Sequence, residues 1–364
     1  MPLRITLETV WRFTQERDQR SMLVMLDFLN EIRATGKITR AAERAAVSYR
    51  HAWNLIGKWS EFFGRPLVER RQGRGTILTT FGERLVWAGQ RLQARLGPQL
   101  QNLAQELESE INALLPEPGE VVRIHASHGF AVSALRDLLA HEENLRVDFR
   151  YVGNINSPAS LAHRGCDLAG MHLPQGELRA RSMAGWRDAL SSVEHRVIRF
   201  VKREMGLMVR KGNPRGIHSM SQLLDPELRF VNRDPESGTR MLFDEILAQQ
   251  GLDASRIQGY QQIEFTHAAV AAYVASGMAD ACFGVEAAAW QFDLDFVPVV
   301  TEDYVFVCHH ESLENPLVQR ILEVMRGPDF GAKIAALPGY SVTDPGSVKS
   351  IEEVFGPWEP PAQR

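Results

Sequence analysis

The sequence predicts a multidomain α/β protein: an N-terminal winged helix-turn-helix, a long linker helix, and a two-lobed α/β domain. Three observations predict it. Two short helical patterns meet at a tight joint within residues 39–54, and an arginine-rich hairpin follows them. A leucine stripe then runs from Leu85 to Leu114. Beyond it, strand and helix patterns alternate in two blocks, as expected of two α/β lobes with a ligand cleft between them.

The elements follow in order. Leu3-Arg4-Ile5-Thr6-Leu7 alternates and reads as a short strand. Met22, Met25, Leu26, Leu29 and Ile32 recur at helical spacing before Gly36. Thr39 is placed to cap the next helix, in which Ala41, Ala42, Ala45 and Ala46 let a second helix approach closely. Val47 closes that run, and Ser48 caps the following helix. This helix turns Trp53, Ile56 and Phe63 inward and offers Tyr49, Arg50, His51, Asn54 and Lys58 outward. Such a pair enters a DNA major groove with the N-terminal residues of its second helix at the base edges.

Val68–Thr79 reads as two strands around a glycine-punctuated tip with Arg70, Arg71 and Arg74. Arginines on such a wing suit phosphates or a minor groove. Between Arg33 and Arg95 the only acids are Glu43, Glu61, Glu69 and Glu83, against thirteen lysines and arginines, Arg40 among them. The whole chain carries −4, so this basic block marks one domain that faces a polyanion. In the long helix, Leu85, Leu92, Leu96, Leu103 and Leu107 form the seam expected of a dimer, since a two-fold protein reads a two-fold site. Gly97-Pro98 interrupts the stripe, and a kink or break is expected there. Pro116–Gly119 is a linker. The expected domains are 1–80, 81–115 and 120–345.

In the first α/β block Val121–Ala126, Leu145–Val152 and Asp167–His172 read as strands, with helices over 132–140 and 157–164. The second starts near Val197. It holds strands at 228–232 and 280–285, helices over 238–250 and 267–276, return strands over 296–307 and helices over 317–337. Cleft chemistry lies where strands end and helices begin. Ser127-His128-Gly129 is one such turn; Arg233 to Arg240 is another. There Ser237, Gly238 and Thr239 offer backbone N–H groups and hydroxyls to an anion, and Arg233 and Arg240 offer charged donors. His267 opens a further helix at the mouth. Asp280 and Glu286 read as fold or hinge residues. Cys166, Cys282 and Cys308 are too few and too scattered for a disulfide framework or zinc site, and no metal ligand set is expected. The start has no apolar signal core, and no apolar run approaches the ~20 residues of a membrane helix; a cytoplasmic, non-membrane protein is expected.

Residues 20–95 resemble the DNA-binding domain of LysR-type regulators, and more closely that of bacterial molybdate-responsive regulators. The resemblance rests on Gly36–Ala42, Val47-Ser48-Tyr49-Arg50-His51-Ala52-Trp53, Leu67–Arg71 and Leu78–Gly82. Residues 120–310 resemble the periplasmic-binding-protein-like domain fused to such heads, through Phe230–Arg233, Ser237–Arg240, Gly259-Tyr260, Thr266–Ala271, Ala275–Ala281 and Leu294–Pro298. The resemblance implies a regulator without enzymatic activity that binds a double-stranded DNA operator as a homodimer or homotetramer. It implies a sensor domain of type II binding-protein fold whose effector is molybdate, tungstate or an anionic molybdenum-cofactor species, with no tightly bound cofactor, and molybdoenzyme genes such as formate dehydrogenase as targets. Two departures stand out: Gly97-Pro98 in the linker, and Ser127-His128-Gly129 where the family has Ser-His-Asp. Two alternatives stay open: the same regulator sensing a small carboxylate such as formate, and an enzyme or carrier of molybdenum-cofactor metabolism. For the latter the sequence offers no P-loop, nucleophile triad or metal-ligand spacing.

Overall fold

The computed structural model describes residues 3–15, 18–21, 23–72, 75–112, 114, 120–153, 156–184, 186 and 190–358. The Arg74 and Pro116–Gly119 assignments lie outside them. Two compact units result, Leu7–Ala94 and Arg95–Arg364 with Met1–Thr6.

The smaller unit holds β1 (Arg12–Gln15), β2 (Asp18–Ser21), α1 (Leu23–Thr35), α2 (Ile38–Arg44), α3 (Tyr49–Phe63), β3 (Val68–Arg71), β4 (Gly75–Leu78) and the start of α4 (Thr80–Asn112). Residues 3–7 form no strand; β1 and β2 pair instead, through Arg12↔Ser21. Leu3 and Ile5 spend their N–H groups on the side chains of Asn112 and Glu108 (2.8 and 2.7 Å), so this segment has no strand partner to complete a ladder. Phe28, Leu29, Ile32, Ile38, Ala42, Ala52, Ile56 and Trp59 make a closed core. The joint between α2 and α3 bends at Ala46, whose φ of 52° is a conformation usually left to glycine. Ser48 accepts the His51 N–H and caps α3. Thr39 does not cap: Lys37 holds the N-cap position of α2, and Thr39 is exposed in its first turn.

Gly97-Pro98 does not break the linker helix, which runs unbroken for 33 residues with Pro98 inside it. A missing N–H costs about 3 kcal/mol in a helix interior, and here helix on both sides of Pro98 is anchored. Leu85 and Val86 are buried before it; beyond it Asn102 donates to the Tyr151 carbonyl and accepts its N–H (both 2.8 Å). Leu85 therefore belongs to the core of the small unit, not to an open seam. Leu92 and Leu96 are half-buried, whereas Leu103 and Leu107 are exposed.

The larger unit continues with β5 (Val122–Ala126), α5 (Phe130–Leu139), β6 (Val147–Tyr151), α6 (Asn156–Ala162), β7 (Leu168–Pro174), α7 (Leu178–Ala184), β8 (His195–Val209), β9 (Phe230–Arg233), α8 (Gly238–Gln249), β10 (Ile263–Glu264), α9 (His267–Ala275), β11 (Ala281–Val285), α10 (Glu286–Gln291), β12 (Asp295–His309), α11 (Pro316–Arg326), α12 (Pro328–Ala335), β13 (Tyr340–Ser341), β14 (Val348–Lys349) and α13 (Ile351–Phe355). Its strand order is β10-β9-β11-β8-β12-β7-β5-β6, with β13 and β14 also on β8. Strands β5, β6 and β7 are parallel neighbours in the first lobe; β9, β10 and β11 are parallel neighbours in the second. The two antiparallel 15-residue strands β8 and β12 pass through both lobes and join them. The "return strands" are thus one long strand, irregular between Pro298 and Val300 and between Tyr304 and Val305. In the first lobe, one face of the sheet packs Ile124, Phe149, Phe306 and Phe330; the other packs Met171, Trp186, Val307 and Phe355. Two parallel blocks turn the carboxyl ends of β5, β9 and β10 toward one cleft, where ligands of open α/β sheets bind.

Candidate anion cleft and nucleic-acid interface

In the cleft, each turn after a parallel strand opens a helix. Ala126 ends β5; Ser127-His128-Gly129 leads into α5, with Gly129 at the N-cap. Ser127 donates its N–H to the Tyr304 hydroxyl (3.0 Å), and Gly170 is glycine because a Cβ there would run into that hydroxyl. The opposite lobe supplies Arg233 at the end of β9, then α8 and α9. The lobes meet closely, since a Cβ on Gly153 would stand 3.3 Å from the Glu236 carbonyl.

Arg233 is the centre of the site. It is 6% exposed, gives Nη2 to the Phe265 carbonyl (2.9 Å), and has no hydrogen-bond partner for Nε and Nη1. It forms no ion pair with any described residue. Burial, then the nearby Arg203 charge, pulls its pKa down to about 9. Burial, then the Arg233 guanidinium, lowers His128 to about 4 and holds His267 well below its usual value. His267 touches Thr239 Oγ1 through Nε2 (3.3 Å), leaving a buried Nδ1 without a partner; Ser127 Oγ is a further buried orphan.

Beneath them lies a buried triad on the strands that join the lobes. Arg203 of β8 donates Nε to Glu302 Oε2 of β12 (2.8 Å), with Nη2 2.7 Å from the same oxygen as an ion pair, and donates Nη2 to His172 Nδ1 (2.8 Å). An arginine only donates, so His172 Nδ1 is the acceptor. Burial works against the charge on Glu302, but the Arg203 guanidinium outweighs it and holds the carboxyl at about 2. Burial, then Arg203, lowers His172. Two guanidiniums and three imidazoles thus gather in the cleft, where Glu302 is ion-paired with Arg203 and the Asp234 charge reaches Arg233. A Cβ on Gly129 would stand 3.8 Å from Arg203 Nη1, so an aspartate at this position would bring a further acid toward Arg203.

Not every expected donor is free. Arg240 is buried and committed: Nε reaches both oxygens of Asp244 (3.0 and 2.9 Å), Nη1 the Arg233 carbonyl, and the guanidinium covers the Tyr260 ring at 4.0 Å. Ser237 caps α8, accepting the Arg240 N–H and donating to the Asp234 carbonyl. Gly238 and Thr239 are buried in the first turn of that helix. Arg203, Glu302, His172 and Tyr304 are absent from the sequence-based site; the signal for them was charge interrupting buried strands, at Arg203 in His195–Val209 and at Glu302 in Asp295–His309. Asp280 is buried in ion pairs with Arg210 and Arg229 and is a fold residue. Cys308 is buried, its thiol pushed up to about 12. Among the described residues no three His, Cys, Asp or Glu side chains gather as metal ligands, and no helix is long and apolar enough to cross a membrane.

The small unit presents a second surface. Along α3, Tyr49, Arg50, His51, Asn54 and Lys58 are exposed, and Arg50 and Asn54 have no side-chain partner among the described residues. Arg40 pairs with Glu43 and Arg71 with Glu69. Arg70, from the wing, does not project freely. It donates to the Tyr49 hydroxyl (3.3 Å) and lies over the Trp53 ring at 5.1 Å, while Trp53 Nε1 donates to the same hydroxyl (2.5 Å).

A closed two-lobed domain and a winged helix-turn-helix define the architecture of a ligand-responsive regulator. The comparisons name the family. Residues 136–326 match the PBP superfamily domain, and residues 23–83 match the bacterial regulatory helix-turn-helix protein, lysR family. The chain belongs to the PBP superfamily and is a regulator of LysR type. It is 32% identical over 199 residues to YvgK of Bacillus subtilis, an uncharacterized protein; the match covers 55% of this chain and 64% of YvgK. It is 44% identical over 62 residues to the transcriptional regulator ModE of Haemophilus influenzae (16% of this chain, 24% of ModE). It is 36% identical over 83 residues to the molybdenum transport protein ModE of Azotobacter vinelandii (22% of this chain, 31% of that protein). The chain therefore spans less than two thirds of YvgK and about a quarter to a third of the ModE proteins.

Proposed function

We propose that this chain is a DNA-binding transcriptional regulator whose cleft senses molybdate, tungstate or an anionic molybdenum-cofactor species, and whose targets are molybdoenzyme genes such as formate dehydrogenase. One observation carries the sensing half: a buried, unpaired Arg233 with two unmet N–H donors. A buried charge without a partner is costly, and an anion that accepts both N–H groups removes the cost. Ser127, His128 and His267 surround it with further polar groups, and Gly238 and Thr239 begin a helix whose N-terminus favours negative charge.

The proposed domains are 1–80 for DNA binding, 81–115 for linkage and self-association, and 120–345 for the effector. Arg50, His51, Asn54 and Tyr49 would read the operator, with Ser48, Lys58, Arg40, Arg71 and Arg74 near the phosphates. Leu92, Leu96, Leu103 and Leu107 would form the seam of a homodimer or of a tetramer built from dimers. The linker reaches both lobes. Asn102 holds Tyr151 of the first, and Arg95 approaches Glu264 of the second (3.9 Å) and covers Phe265, whose carbonyl binds Arg233. An anion that prefers one angle between the lobes would shift the helix that rests on both.

Calorimetric titration with molybdate, tungstate and formate tests the cleft. Saturable molybdate or tungstate binding that Arg233→Met removes is expected; binding untouched by that change overturns the assignment, and formate binding alone moves it to the small carboxylate. Sedimentation of Leu103→Glu/Leu107→Glu tests the seam, with dissociation to monomers expected.

A further inference from the structure

The strands that join the lobes carry a second pocket on their other face. A cavity of about 280 Å³ lies among the end of β7, α7, β8, β12 and the C-terminal segment, lined by Arg179, Arg199, Lys202, Asp303, Glu353 and Val354 among others. Strand alternation fixes its relation to the cleft. Arg203 pairs in register with Glu302, and Lys202 with Asp303. The first pair turns into the cleft triad; the second, one residue away on each strand, turns into this cavity. The acids here already have partners: Asp303 accepts from Gln175 (3.4 Å), and Glu353 accepts the Ser350 N–H (2.7 Å). The cations do not. Arg199 and Lys202 form no ion pair with any described residue, and Arg179, which gives Nη2 to the Val354 carbonyl, has a buried Nε with no partner. Val305 and Val354 add apolar wall.

We propose that this cavity binds a small organic carboxylate, separately from the oxyanion in the cleft, and acts on the cleft through the shared strands. Guanidinium and ammonium groups, one with a buried N–H that has no partner, beside apolar wall suit a carboxylate head with a short carbon chain. Its volume is below the usual range for drug-sized ligands, which limits the chain to a few carbons. A carboxylate that draws Lys202 toward itself and away from Asp303 changes the strand positions next to Arg203 and Glu302, so it shifts lobe closure and the affinity of the cleft.

The test is calorimetric titration of the full chain with acetate, succinate and hexanoate in turn, each up to about 10 mM, the weak end of specific binding. Wild type, Arg199→Gln/Lys202→Gln and Arg233→Met are compared, each first shown to melt cooperatively; Arg179→Lys replaces the double variant if that one does not fold. One site per chain is expected for at least one probe, weakened tenfold or more by the cavity variant and changed less than twofold by Arg233→Met. Absence of binding by all three probes overturns the proposal. So does binding lost in Arg233→Met and kept in the cavity variant, because the carboxylate then occupies the cleft. Failure of the oxyanion reading is seen separately, as molybdate and tungstate that do not bind wild type.

Discussion

The two units handle positive charge in opposite ways. On the winged helix, Arg50, His51 and Lys58 stand in solvent along one helix face. In the cleft, Arg203 and Arg233 are 3% and 6% exposed, with His172 and His267 buried beside them and Glu302 ion-paired to Arg203. Exposed cations suit an extended polyanion: each contact is weak, replaceable and screened by salt. Buried cations suit one small anion of fixed size, because the protein has already removed the water that would compete for it. The proposed output and input surfaces of the chain thus differ in burial more than in residue type.

The largest effect is expected at Arg233. Arg233→Met should weaken oxyanion binding about 30- to 4,000-fold, since truncating one partner of a buried, hydrogen-bonded charge pair costs about 2–5 kcal/mol. The same change should raise the melting temperature of the anion-free protein, because an unpaired buried guanidinium is gone. A fall in both quantities would mean that Arg233 is a structural residue whose neighbours compensate it. Smaller, and on the other surface, Arg50→Ala with His51→Ala should reduce operator affinity about 5- to 150-fold, as one lost base contact costs about 1–3 kcal/mol. Stability should stay within about 0.5 kcal/mol, as for other surface changes. Mobility shifts at fixed salt read the first quantity and denaturant melts the second; unchanged affinity would remove α3 from the interface.

Acid sharpens the contrast further. His128 is held at about 4 in the folded protein against 6.5 when exposed, and His172 and His267 are lowered as well. Between those values the unfolded chain binds more protons than the folded one, so stability rises with pH. It is complete above about 6.5 and declines as pH falls toward 4, by at most about 1.4 kcal/mol per pH unit for each such histidine. Melts from pH 7 to 5 should show this slope, and His128→Gln should reduce it. A bound anion favours the protonated imidazoles, so it should flatten the curve too. A melting temperature independent of pH in this range would mean that the imidazoles titrate as if exposed.

The same contrast explains what could be read from the chain. The helix pair and hairpin were legible because their signals are local: Ser48 before the amphipathic Tyr49–Phe63 helix, and Gly75 ending an arginine-rich tip. The strand-end turns at Ser127 and Arg233 were legible for the same reason. The Arg203–Glu302–His172 triad was not, because its members are separated by 31 and 99 residues and meet only through the register of β8, β12 and β7. Arg240 looked like a ligand donor in sequence because its partner Asp244, one helical turn on, could equally have pointed away. Thr39 looked like a cap because threonine suits one, yet the helix begins one residue earlier, at the buried Ile38. Pro98 looked like a break because propensity is counted residue by residue, whereas Asn102 and Ala104 anchor the helix beyond it.

The smallest expected effect concerns an exposed cation that is already engaged by aromatic neighbours. Arg70 is spent on Tyr49 and Trp53, so it should act on DNA through Tyr49 and contribute little directly. The Tyr49 oxygen accepts from both Trp53 and Arg70, which occupies both of its lone pairs and leaves its O–H as a donor for an acceptor on the nucleic acid. Tyr49→Phe removes that donor and should cost about 1 kcal/mol, the usual net value of one hydrogen bond. Arg70→Ala should cost less than a freely projecting arginine would, and in the Tyr49→Phe background it should cost almost nothing further, since its partner is gone. Operator affinities of the two single variants and the double variant, measured at one salt concentration, give this coupling. Equal losses on operator and random DNA would assign the Tyr49 donor to a phosphate, and a loss confined to the operator would assign it to a base edge. Additive losses would return Arg70 to the same role as Arg50, a cation that meets DNA on its own.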